Sequence, residues 1–100
     1  MAAPRRYLCS QLVELRYSGN RLTANLEEIW ESGAVLECEE APLVDSQAEL
    51  RCAGVMLCGR LTKVESHEFG HRVEMAFSPL TPWSPERFEP AHLLDPADLA

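Results

Sequence analysis

One hundred residues suffice for a single domain with one modest hydrophobic core. The formal charge of −7, from 16 acidic residues against nine Lys and Arg, leaves no basic stripe to grip a DNA or RNA polymer. An apolar content of 46% is that of a soluble globular chain, and no apolar run nears the roughly 20 residues that span a bilayer, so membrane insertion is not expected.

The chain begins MAAPRRYLCSQLVEL. It has two arginines but no continuous apolar segment and no small-residue cleavage site, so it does not read as a secretory signal, and a cytoplasmic location is expected. Arg5 and Arg6, with Arg16 and Arg21, make a small positive cluster in the amino-terminal third. Such a cluster suits a small anion rather than a long nucleic acid.

From Val13 onward the apolar residues alternate with period two, the signature of half-buried strands. Val13, Leu15 and Tyr17 share one face of a first strand, which ends at the turn Ser18-Gly19-Asn20. Leu22, Ala24 and Leu26 alternate in a second strand that runs on to Ile29 and Trp30. Glu31-Ser32-Gly33 breaks the pattern, and AVLEC is a short third strand. The acidic run from Glu37 to Glu40, followed by Ala41-Pro42, reads as a solvated loop. A fourth strand covers residues 47–52, Ala53-Gly54 turns the chain, and the longest strand covers about 55–66. The last runs from His71 to Phe77, with Val73, Met75 and Phe77 inward.

Beyond Phe77 the composition changes: SPLTPWSPERFEP holds four prolines in 13 residues, which ends ladder pairing. Ser84-Pro85-Glu86 has the form of a helix start, with a capping hydroxyl, proline at the first position and an acid in the first turn. Trp83, Phe88, Leu93 and Leu94 are the residues expected to pack this tail over an open end of the sheet. Six short strands followed by a short terminal helix predict a mainly all-β, six-stranded antiparallel barrel over residues 1–78. Residues 79–100 form a Pro-rich connection and a helical tail packed on it, and closure removes the exposed edges of a small flat sheet.

Within the last hairpin His67-Glu68-Phe69-Gly70-His71 spells H-E-x-x-H, the zinc-protease pattern. That chemistry needs both imidazoles one helical turn apart. Here GRLTKVE before the motif and RVEMAF after it are strand sequences. Gly70 would weaken a helix by about 1 kcal/mol but suits a hairpin tip. The positions where an extended motif would supply its Gly and third His hold Glu74 and Phe77. The motif therefore reads as a turn, and no metal site is expected. Cys9, Cys38, Cys52 and Cys58 lack C-x-x-C spacing and read as free thiols acting as small buried apolar groups. No Gly-rich phosphate loop or G-x-S-x-G elbow is present, and the runs Glu27-Glu28 and Glu37-Glu40 read as solvated faces. No catalytic residue is assigned, and an enzyme is not expected.

In the order of these features the chain resembles the PilZ family, bacterial six-stranded barrels that serve as cyclic di-GMP receptors or as protein-interaction modules. The resemblance covers residues 5–77. It rests on Arg5-Arg6 before the first strand, on ANLEEIWESGAVLE as strand, polar motif and glycine turn, on CGRLTKVE as the glycine-led long strand, and on HRVEMAF as the closing strand. Receptors of the family carry an RxxxR segment that grips phosphates and stacks on guanine, and a [D/N]xSxxG motif at the barrel surface. Arg5 fits the first arginine slot with Cys9 in the second; starting from Arg6 the second slot falls on Ser10. In EIWESG, Glu28 takes the Asp/Asn slot, Trp30 the Ser slot, and Gly33 matches. The nucleotide-binding residues implied are thus Arg5, Arg6, Glu28, Trp30 and Gly33, as a degenerate set. Losing one bidentate, stacked arginine removes about two decades of affinity.

What the resemblance implies is a bacterial regulatory adaptor. It would act mainly through contacts with a protein partner of signalling or motility machinery, with weak or absent cyclic di-GMP binding and no cofactor. The alternative it implies is a working cyclic di-GMP receptor built on Arg5, Arg6 and the Glu28–Gly33 surface. Trp30 is expected to be core if it points into the barrel or onto the tail, and a partner anchor if it points outward.

Overall fold

The computed structural model describes residues 5–99. Six strands form: β1 (Tyr7–Tyr17), β2 (Asn20–Trp30), β3 (Gly33–Cys38), β4 (Gln47–Cys52), β5 (Val55–His67) and β6 (Gly70–Phe77). They close into a barrel in the order β1-β2-β3-β6-β5-β4, with every neighbouring pair antiparallel. The period-two pattern explains this directly. Val13 and Leu15, Leu26 and Ile29, Ala34 and Leu36, Leu50, Leu57 and Leu61, and Val73 and Met75 all turn inward to one buried cluster. Among the described residues no helix is long and apolar enough to cross a membrane.

Two strands differ from the simplest period-two reading, each for a local reason. Leu26 and Ile29 are three apart yet both buried, because the register shifts between Leu26 and Glu28 and restores the inward phase after an extra residue. β1 starts at Tyr7, six residues before Val13: exposure alternates from its first residue, but residue type does not follow it, since Leu8 and Leu12 stand outward and the half-buried Gln11 takes an inward slot.

β4 pairs only with the last part of β1, from Glu14 to Tyr17. The tail covers the edge left open. Leu8 and Leu94 exchange backbone hydrogen bonds of 2.8 and 2.7 Å, and Ser10 N–H donates to the Ala91 carbonyl at 3.0 Å. Trp83 and Phe88 are buried in the barrel's cluster, with the Trp83 indole N–H donating to the Phe88 carbonyl at 2.8 Å. The tail therefore packs on its own barrel, by backbone pairing as much as by side chains.

The expected helix from Ser84 is corrected to a single turn, in which the Ser84 carbonyl accepts from Arg87 and Phe88 N–H groups at 3.0 and 3.2 Å. Pro90 has no N–H with which to continue it. The only helical element among the described residues is a 3₁₀ turn, Pro96–Leu99, where Asp95 Oδ1 accepts from Ala97 N–H at 2.9 Å.

Candidate functional site

The β1–β2 register, Tyr7 opposite Ile29, brings the residue before β1 beside the end of β2. The Arg6 guanidinium lies 3.9 Å from the centroid of the Trp30 ring. Trp30 pairs across the β2–β3 turn with Gly33. A Cβ at Gly33 would stand 2.9 Å from the indole and 2.5 Å from the Met75 carbonyl oxygen, so only glycine fits beneath the ring. Trp30 is 8% exposed but does not belong to the barrel's core cluster. It is buried, covered by the Arg6 guanidinium and set against Gly33, and so is not an exposed partner anchor.

Three of the five residues singled out from sequence thus form one layered patch of guanidinium, indole and glycine backbone. The other two are engaged elsewhere. Arg5 makes a 3.1 Å ion pair with Asp95 of the tail, and Glu28 accepts a 2.9 Å hydrogen bond from Arg72 Nη2 on β6. Cys9, in the second arginine slot, contributes a thiol hydrogen-bonded to the Leu26 carbonyl at 3.5 Å. Burial, reinforced by Glu27 and Glu28, pushes that thiol up to about 11, so it is uncharged at neutral pH. Ser10 Oγ donates to Asn25 Oδ1 at 3.4 Å.

Arg72 was not singled out by sequence reasoning, yet it organises the outer face beside this patch. It sits opposite Glu37 of β3 and Glu65 of β5, and its Nη1 lies 3.8 Å from Glu27 and 4.0 Å from Glu37. The signal was present in its outward phase between Val73 and the turn. Naming its partners required the register of three strands.

The H-E-x-x-H residues straddle a hairpin. β5 ends at His67, β6 begins at Gly70, and Glu68-Phe69 is the two-residue turn. His67 Nε2 lies 2.6 Å from Glu37 Oε2, and its Nδ1 accepts from Phe69 N–H at 3.2 Å, while His71 Nδ1 lies 3.0 Å from Ser66 Oγ. Among the described residues, no group of three His, Cys, Asp or Glu side chains is placed to hold a metal. All four cysteines are free thiols, but only Cys38 is buried; Cys9, Cys52 and Cys58 are half-buried, which corrects the expectation of four core residues.

The positive cluster also divides. Arg5 and Arg6 precede β1, whereas Arg16 lies near its far end, roughly 30 Å away along an extended strand. Arg16 pairs in register with Arg21 instead. No protein-family model and no curated protein matches the chain.

Proposed function

We propose that this chain is a small PilZ-like regulatory adaptor, working through protein contacts in the cytoplasm of a bacterium, with weak or absent cyclic di-GMP binding. One observation carries the reading. Both amino-terminal cations that would hold the nucleotide already have a partner within the chain, Arg5 in Asp95 and Arg6 in the Trp30 ring, which they would share with any ligand. The indole already takes one face of the Arg6 guanidinium, leaving at most the other for a guanine, and the second arginine slot holds an uncharged thiol. Support for protein contacts comes from the side chains left in solvent. Leu12 and Phe69, exposed by 66% and 85%, border one groove of ≈620 Å³ with Glu37, Glu39 and Glu40. An exposed aromatic beside a polar rim is the composition of a binding anchor.

A second reading, a cyclic di-GMP receptor, is favoured by the gathering of Arg6, Trp30 and Gly33 in one patch. Calorimetric titration of cyclic di-GMP into the wild type and Arg6→Ala separates the two. The adaptor reading expects no saturable heat at micromolar concentrations in either protein. Saturable heat in the wild type that disappears in Arg6→Ala establishes the receptor. Isolation of the endogenous protein with no partner above background counts against the adaptor.

A further inference from the structure

The barrel carries a second cationic site, remote from Arg5 and Arg6. On the outer face of β2, β1, β4 and β5, two cross-strand rows lie side by side. One runs Arg21, Arg16, Glu49 and Cys58; the other runs Thr23, Glu14, Arg51 and Met56. The sequence places Arg51 thirty residues from Arg21, but the fold sets it beside Arg16 and Arg21, along a cleft of ≈540 Å³ at the β1–β2 turn. That volume is in the range of small-ligand sites, about 300–1,000 Å³.

The bonding within the cleft leaves donors over. Arg16 Nε donates to Glu14, and Arg51 donates through Nε and Nη2 to Glu49 Oε2 at 3.1 and 2.9 Å. Each carboxylate fixes one edge of a guanidinium and leaves its remaining N–H groups unengaged. Arg21 makes neither an ion pair nor a side-chain hydrogen bond among the described residues. Three guanidiniums against two carboxylates give a local surplus of one positive charge in a chain of net charge −7. Arg16 and Arg21 also face each other directly across neighbouring strands, a like-charge pairing that the neighbouring Glu14 carboxylate, hydrogen-bonded to Arg16 and held below its ordinary range by Arg16, Arg21 and Arg51, offsets only in part.

We propose that this cleft binds a small anion through a single phosphate or carboxylate group, received by Arg21 and by the free N–H groups of Arg16 and Arg51. Guanidinium forks suit both anions, and the acidic remainder of the surface selects against polyanions. The site is independent of the nucleotide patch, since Arg6 takes no part in it.

Amide NMR titration of the full chain, at constant ionic strength, tests the assignment with inorganic phosphate, acetate and chloride in separate arms. Saturable shifts confined to the β1–β2 turn and β4 are expected with phosphate, with acetate or with both, and the responding arm identifies the source of the anion. Arg21→Gln and Arg51→Gln should each weaken the response about tenfold, the usual loss for one charge-assisted contact, while Arg6→Gln leaves it unchanged. Shifts reproduced by chloride, no saturable shift with either anion, or an undiminished response in Arg21→Gln would overturn the proposal.

Discussion

The guanidinium of Arg6 covers the indole of Trp30, and that indole in turn covers the backbone of Gly33. The stack makes position 33 intolerant of a side chain for reasons of space alone, since the nearest obstacles are a backbone carbonyl on β6 and a ring fixed on both faces. Gly33→Ala should therefore lose about 1–3 kcal/mol, the typical effect of forcing a methyl into a filled site. The urea midpoint at unchanged slope measures it. A Gly33→Ala protein as stable as the wild type would mean that the indole is not seated there.

Gly59 is tighter still. A Cβ there would stand 2.0 Å from the Ala76 carbonyl oxygen and 2.9 Å from the Phe77 Cα, both backbone atoms of β6. Neither can rotate aside, so β5 and β6 would have to part where they close the barrel. Gly59→Ala should be destabilised more than Gly33→Ala, by about 3 kcal/mol or beyond. Denaturation compared across the two variants decides the order, and the reverse order would refute the argument from immovable neighbours.

The strands from Leu22 to Phe77 were legible because a barrel this small has one inside, and each strand reports it by alternation. The start of β1 is hidden because its outward slots hold Leu8 and Leu12 and an inward one holds Gln11, so residue type does not report the alternation that exposure shows. The tail misled for another reason. Ser84-Pro85-Glu86 is a sound helix start, but the chain from Trp83 to Leu94 spends its backbone groups on Glu31, Leu8 and Ser10, and proline denies it a second turn. The candidate site was legible as a set of residue types and not as contacts. That Arg6 meets Trp30 follows from the β1–β2 register, whereas the pairing of Arg5 with Asp95 and of Glu28 with Arg72 depends on closure between segments distant in sequence.

The tail is an integral part of the barrel, because it supplies backbone partners to the edge that β4 leaves open. Trp83 is buried, meets Tyr7 edge-on at 5.5 Å between centroids, and is anchored through its N–H to Phe88. Trp83→Ala should lose about 3–5 kcal/mol. Asp95→Asn removes only an ion pair whose arginine is largely exposed and should lose less than about 1 kcal/mol. Chemical denaturation of both variants checks the contrast. Equal effects would show that the charge, not the buried indole, holds the tail.

The thiols make stability depend on alkaline pH. Burial, helped by Glu37, pushes Cys38 up to about 11, and burial with Glu27 and Glu28 pushes Cys9 up to about 11, above the roughly 8.5 of an unfolded cysteine. Between the unfolded and folded values the unfolded chain releases protons that the folded chain keeps. Stability therefore falls as pH rises from about 8.5 to about 11, and these groups add almost no slope below that window. Urea midpoints at about pH 6.5, 7.5 and 10.5 should be nearly level between the first two and drop at the third, with a shallower drop in Cys9→Ala/Cys38→Ala. The same protonation keeps both sulfurs poor nucleophiles, so iodoacetamide at pH 7.5 should label Cys9 and Cys38 only after unfolding. Labelling of both in the folded protein as fast as in urea would mean that neither sulfur is held away from water.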